Sequence, residues 1–164
     1  MTGVPVPVRV GRLGAAARPD EILTLVQTAF SGLQPPSSVL REAPSDLVAR
    51  LRTETALVAS AGEHIVGSVF CAAKDDALYL TRMAVAPAWR GQGVGSALLA
   101  ACADEARRMG AARLTLRVRQ NLPDNRAYFE RRGFIVTGEG QDSGRPPYFA
   151  MERAESILVI DTKS

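Results

Sequence analysis

Apolar residues recur along this chain in two periods, and the switches between the periods lay out its elements. Val6 to Val10 alternates apolar with other residues as a first strand does. Pro19-Asp20-Glu21 then supplies a proline start, and its two acids suit the positive end of a helix dipole. Ile22, Val26, Ala29 and Phe30 continue as one apolar stripe. Ser31 to Pro44 contains Gly32, Pro35, Pro36, Ser37 and Ser38, so it reads as a loop before a short helix capped by Ser45. A cover over a substrate cleft and a plain connector are both open for that loop.

Ala56 to Ala61 and Ile65 to Ala73 are β-rich runs separated by Gly62-Glu63-His64, a hairpin pattern with a glycine in its turn. A third run, Leu78 to Val85, follows Asp75-Asp76 and extends the pair to an antiparallel meander. After Pro87 to Gly95, Val94, Ala97, Leu98, Ala101 and Cys102 fall at helical spacing, and Arg107, Arg108 and Gly110 close that helix. Leu114, Leu116 and Val118 alternate with Arg113, Thr115 and Arg117 as a strand, which the preceding helix reaches by a parallel crossover. The sheet is therefore expected to be mixed. Asn121-Leu122-Pro123-Asp124 leads into a helix near Asn125 to Arg132, closed by Gly133. Phe134 to Thr137 and Tyr148 to Met151 supply the last core strands. With no repeat or linker in view, residues 1–164 are expected to form a single domain, with 154–164 as a C-terminal extension.

Composition narrows the function classes. Hydrophobic residues at 46% and charged ones at 23% describe an ordinary globular chain. The net charge of +3 comes without a block of like charges, so a compact anion suits the chain better than nucleic acid. Cys71 and Cys102 both lie in apolar stretches, which places the thiols in the core and the protein in a reducing cytoplasm. No stretch approaches the roughly 20 apolar residues of a membrane span, and no secretory leader pattern opens the chain.

The candidate chemistry sits in Arg90-Gly91-Gln92-Gly93-Val94-Gly95. Three alternating glycines open an amphipathic helix there, where unpaired N–H groups and the dipole's positive end converge on one spot. Such a spot attracts phosphate. Glycine lets the backbone approach the anion, and Arg90 adds a cation able to pair bidentately with phosphate oxygens. A turn that merely caps the helix is the bland alternative. A dinucleotide fingerprint fits poorly: Ser96 takes a small-residue position, Ala86 to Arg90 intervenes after the strand, and Val118-Arg119-Gln120 offers no carboxylate. The Gly-Lys-Ser/Thr ending of a P-loop is absent too.

The stretch Met83-Ala84-Val85-Ala86-Pro87-Ala88-Trp89-Arg90-Gly91-Gln92-Gly93-Val94-Gly95-Ser96 resembles the signature of the GNAT superfamily of N-acetyltransferases, Arg/Gln-x-x-Gly-x-Gly/Ala after a strand and a Pro-containing turn. Asn125-Arg126-Ala127-Tyr128-Phe129-Glu130-Arg131-Arg132-Gly133-Phe134 is similar to the family's later helix and its Gly-Phe ending, so the resemblance runs from Ala56 to Met151. It implies an α+β fold in three layers: a mixed, mostly antiparallel, splayed sheet flanked by about four helices. Acetyl-CoA would lie in a V-shaped opening between the strands ending at Val85 and Val118. Main-chain groups from Met83 through Ala84 to Val85 would run beside the pantetheine, Met83 and Val85 bonding it. The amides of Gln92, Gly93, Val94, Gly95 and Ser96 would hold the pyrophosphate, with Arg90 and Gly91 in the same loop. Asn121 or Asn125 is a candidate for the pantetheine amide, or equally a turn residue or helix cap.

The implied reaction is direct attack of a neutral amine on the thioester in a ternary complex, with main-chain N–H groups near Val85 polarising the carbonyl. It needs no metal and no covalent enzyme intermediate, which leaves Cys71 and Cys102 without a catalytic part. His64 reads as an exposed turn residue. Family members often carry a carboxylate base where this chain has Tyr79, and a tyrosine acid where it has Phe129; Tyr79 and the adjacent Tyr128 are the weak catalytic candidates left. The expected acceptor is a small-molecule or peptide amine, and the expected assembly a monomer or homodimer. The alternative within the same fold is a CoA-binding regulatory domain that has lost catalysis.

Overall fold

A computed structural model describes residues 7–13 and 18–155. Its elements run β1 (Val8–Arg12), α1 (Pro19–Ala29), α2 (Pro44–Arg50), β2 (Thr55–Ala61), β3 (His64–Lys74), β4 (Ala77–Val85), α3 (Val94–Met109), β5 (Arg113–Arg119), α4 (Pro123–Glu130), β6 (Ile135–Gly140) and β7 (Tyr148–Ala154), with 3-10 turns at Ser38–Arg41 and Pro87–Trp89. The seven strands form one mixed sheet in the order β1-β2-β3-β4-β5-β7-β6, flanked by the four helices. By its contacts the chain divides into two compact units, the described parts of Met1–Ala72 with Leu80–Cys102, and of Ala73–Tyr79 with Ala103–Ser164.

In the first unit β1 pairs antiparallel with β2, and β2 with β3. The β-rich runs of β2 and β3 are buried almost continuously, as strands covered on both faces are. Ile22, Leu25 and Val26 of α1 and Leu47 of α2 share a core with Ala56, Val58, Ile65, Phe70 and Ala84. Each large side chain buried there contributes about 1.5–3 kcal/mol. Between the helices, the Ser38–Arg41 turn buries Val39 and is held by Gln27, whose Nε2 donates to the carbonyls of Val39 and Glu42, both at 3.1 Å.

Three local expectations change. Ser45 does not cap α2: Pro44 takes the first helical position, Ala43 is the N-cap, and the Asp46 carboxylate accepts from the Ala43 N–H at 2.8 Å. His64 is not in the hairpin turn but is the exposed first residue of β3, paired with Ala61. The fourth helix begins at Pro123 rather than Asn125, with Leu122 as its N-cap, so neither Asn121 nor Asn125 caps it. The second unit centres on β5, which runs parallel to Ala77–Tyr79 of β4 and antiparallel to β7, with β6 beyond β7. Leu114, Leu116, Val118, Phe134 and Met151 are buried in it. The apolar segment Ile157-Leu158-Val159-Ile160 of the expected C-terminal extension lies outside the described residues.

Candidate functional site

The glycine loop is built by the chain that leaves β4. The Ala86 N–H donates to Val66 of β3 at 2.8 Å, and the Trp89 N–H returns to the Ala86 carbonyl at 2.8 Å, so the turn is anchored before the loop starts. Gly91 (φ 74°) and Gly93 (φ 84°) are then left-handed, a region closed to most side chains, and a Cβ added to either would meet nothing within 4 Å. Gln92 folds its amide back onto the Ala88 carbonyl at 3.0 Å, a bond that spans the turn. The first helical bond runs from the Ala97 N–H to the Gly93 carbonyl at 3.0 Å. The N–H groups of Gly93, Val94 and Gly95 therefore stand ahead of the helical ladder, at the positive end of a 16-residue helix. Arg90 is exposed beside them, and among the described residues its guanidinium makes no ion pair.

What holds this helix end in place is Gly67. A Cβ there would sit 2.8 Å from Val94 Cγ1, 3.1 Å from Leu98 Cδ1 and 3.3 Å from the Ala84 carbonyl oxygen. Only a glycine lets the first turn of α3 settle so close to β3. The same contacts orient the end of β4. The Ala84 carbonyl and the Ala86 N–H both face β3, so by the alternation of a strand the main-chain groups of Met83 and Val85 point away from it. The parallel ladder of β4 covers Ala77–Tyr79 alone.

One feature of β4 was invisible in the sequence. Arg82, in the middle of the strand, has φ 52°, one of two non-glycine residues with positive φ among the described residues. Its guanidinium grips both carboxylate oxygens of Glu42, and both side chains are mostly buried. Next to it, Thr81 Oγ1 donates to Glu54 at 3.4 Å, and Glu54 also accepts from Arg50 at 2.9 Å. Arg82 is a poor sequence cue for a left-handed residue, and its partner is 40 residues away.

The remaining candidates stand as follows. Tyr79 is half-buried, with the Lys74 ammonium 5.1 Å from its ring centre. Asn121 and Asn125 are exposed. Tyr128 lies under the Arg132 guanidinium, 3.4 Å from its ring centre, and burial pushes its phenol up while Arg132 and Arg131 pull it back. Phe129 packs edge-on against the buried Phe134 at 5.5 Å. Cys71 and Cys102 are buried free thiols, and burial pushes Cys71 up to about 11.

This architecture is shared with solved acetyltransferases. The chain superposes on the ribosomal-protein-S18-alanine N-acetyltransferase of Escherichia coli with a TM-score of 0.71 at 18% identity, covering 94% of this chain and 98% of that one. It superposes on PaiA N-acetyltransferase of Thermoplasma acidophilum, solved in complex with coenzyme A, with a TM-score of 0.75 at 14% identity, covering 90% and 99%. For Ard1 of Thermoplasma volcanium the values are 0.73, 18%, 91% and 98%. At such identities the likeness defines the fold. Residues 20–134, more than half of the chain, match the model of the Acetyltransferase (GNAT) family, and the chain belongs to that family of acyltransferases. Comparison with curated proteins finds no match. Among the described residues no helix is long and apolar enough to cross a membrane.

Proposed function

We propose that this protein is an acetyl-CoA-dependent N-acetyltransferase acting on a primary amine within a ternary complex. The observation that carries the reading is the open, left-handed loop at Gly91 and Gly93 under the N-terminus of α3, with Arg90 unpaired beside it among the described residues. These residues fit a diphosphate: the space a Cβ would fill is empty, the donors are main-chain N–H groups, and the nearby charge is positive. Gln92, Gly93, Val94, Gly95 and Ser96 would hold that group by their amides, and Met83 and Val85, facing away from β3, would bond the pantetheine arm as a neighbouring strand does. Bound acetyl-CoA supplies an acetyl group already activated as a thioester. The protein's part is to orient it, and to place a main-chain N–H near Val85 against the acetyl oxygen, where negative charge grows during attack.

The amine must arrive neutral. A lysine-like amine, with pKa near 10.4, needs help from a base, whereas an α-amine near 8 is partly neutral already. Tyr79 offers no carboxylate at the strand position where the family's base is expected, which favours acceptors of the second kind or a base elsewhere. The same gap, with Phe129 in place of the acid, also favours the second reading, a CoA-binding regulator without catalysis. Calorimetry with acetyl-CoA, then free-thiol release with a panel of small-molecule and peptide amines, tests both. Binding with thiol release establishes the transferase. Binding with no release from any amine leaves the regulator, and no binding at all sinks the phosphate-loop assignment.

A further inference from the structure

Arg82 is an unexpected residue for its conformation. A left-handed backbone costs a non-glycine residue roughly 1–2 kcal/mol, and asparagine or aspartate tolerates it better than arginine does. Asp75, the other such residue, sits in the β3–β4 turn where this is ordinary. Arg82 lies inside β4, immediately before the three residues whose main chain is aimed by β3.

Something must hold it there, and Glu42 is placed to do so. Its carboxylate takes both terminal nitrogens of Arg82, the arrangement in which an ion pair is most directional. The pair is shielded, with the two side chains 12% and 21% exposed. Glu42 is itself fixed from behind: its N–H donates to Val39 at 3.1 Å, and its carbonyl accepts from Gln27 at 3.1 Å. Val39 is 2% exposed, so this anchor is tied to the core. The neighbouring residue reports the same distortion. Successive side chains of a regular strand point to opposite faces. Thr81 and Arg82 instead both reach carboxylates flanking α2, Glu54 after it and Glu42 before it.

We infer that Glu42 is a positioning residue which, through Arg82, holds the left-handed step in β4 and so sets the direction of the Met83–Val85 main chain. The inference rests on the proposed function only for its consequence, that acetyl-CoA meets a pre-aimed strand. Residues 31–43 are then a support for β4 in addition to whatever they do toward an acceptor.

The test uses the full chain and four proteins: wild type, Glu42→Ala, Arg82→Gly and the double variant. Amide hydrogen exchange at Ala84 and Ala86, whose N–H groups face β3, is followed without ligand, and acetyl-CoA affinity by calorimetry. Glu42→Ala should speed exchange at these two amides at least tenfold, with the amides of β2 unchanged, and weaken acetyl-CoA about fivefold or more. Glycine adopts φ near 52° without help. The double variant should therefore exchange no faster than Arg82→Gly alone, the non-additivity that a shared role requires. Unchanged exchange in Glu42→Ala, or a double variant whose effects simply sum, overturns the inference. If Glu42→Ala does not fold, Glu42→Gln, which keeps the shape and removes the charge, is read by the same criteria. Because exchange is read on the free protein, wild type that fails to bind acetyl-CoA refutes the functional reading and leaves this result standing.

Discussion

Replacing Gly67 by alanine adds one methyl group at the place where α3 touches β3, and the structure allows its cost to be worked out. The new Cβ would lie 2.8 Å from Val94 Cγ1, a separation that real Cβ atoms do not show, and 3.1 Å from Leu98 Cδ1. Val94 is stiff about χ1 because it is β-branched in a helix, and it is 1% exposed; Leu98 is 0% exposed. Both are enclosed in a close-packed interior, so the helix itself is expected to rise. Overpacking of this kind costs about 1–3 kcal/mol. At roughly 2–4 °C per kcal/mol for a domain of this size, the melting temperature should fall by about 2–12 °C. The loop donors move with the helix end. Losing good geometry at one or two of them, at ~1 kcal/mol each, should weaken acetyl-CoA by about fivefold to thirtyfold. Val94→Ala removes the atom in the way. In Gly67→Ala/Val94→Ala the two changes should therefore couple, the double variant being at least about 1 kcal/mol more stable than the sum of the singles. Urea unfolding gives the stabilities and calorimetry the affinities. A Gly67→Ala protein with the wild-type midpoint, or strictly additive variants, would refute the claim that this glycine seats the helix.

Three further outcomes are expected. Gly93→Asp should abolish acetyl-CoA binding while leaving a folded protein, since the left-handed backbone costs aspartate no more than roughly 1–2 kcal/mol and its side chain enters open space with added negative charge; Gly95→Asp should also abolish binding but with a larger loss of stability, because Gly95 is buried. Unchanged affinity in a folded Gly93→Asp would remove the phosphate site. Cys71 should resist alkylation at pH 8 in the folded protein and react on unfolding; its raised pKa adds stability below its ordinary value of 9.0 that is lost as pH climbs through about 11, so denaturant midpoints measured across that window should drop. Deletion from Ser156 onward spares Glu155, whose N–H donates to Ala112 at 2.8 Å and whose carboxylate receives Arg153 at 2.7 Å. Removing the apolar segment should lower either the melting temperature or the mass in solution, and a protein unchanged in both would show that it is a tail.

How legible the site was in the sequence depended on how local its physics is. The conformation of the glycine loop could be read because six consecutive residues carry its parts: the exposed cation, the left-handed glycines and the start of an apolar helical stripe. The parallel step from β4 to β5 was readable for a similar reason, since a strand, a helix and another strand in succession leave few alternatives. Ser45 misled because serine is a good cap by type, while Pro44 beside it is a better first helical residue and Asp46 captures the free N–H. Arg82 and Glu42 could not be read at all. Their pairing is a tertiary contact, and nothing about an arginine in a β-rich run predicts a left-handed backbone. Gly67 lies in a β-rich run with no local cue to its use, which depends on a helix that begins 27 residues later.

The position of the missing acid can now be argued from packing. Phe129 stands where the family's tyrosine is expected, and its ring lies edge-on against Phe134, which is 2% exposed. Tyr128 is one helical step away, a rotation of about 100°. Its ring is occupied by the Arg132 guanidinium at 3.4 Å, whose Nη1 also donates to the Tyr128 carbonyl at 2.9 Å. The two aromatic residues meet nearly perpendicular, at 5.1 Å and 85°, so a rotation that brought Tyr128 into the place of Phe129 would break both ring contacts. A departing thiolate makes little demand for such a rotation, because a thiol with pKa near 8.5 is a tolerable leaving group and general acids add only about 10²–10⁴-fold. Tyr128→Phe should therefore keep most activity once an acceptor is known, and Phe129→Tyr should be tolerated. Steady-state kinetics on both variants decide the matter. A hundredfold fall in kcat for Tyr128→Phe, with acetyl-CoA affinity unchanged, would make Tyr128 the acid and require this helix to turn when substrate binds.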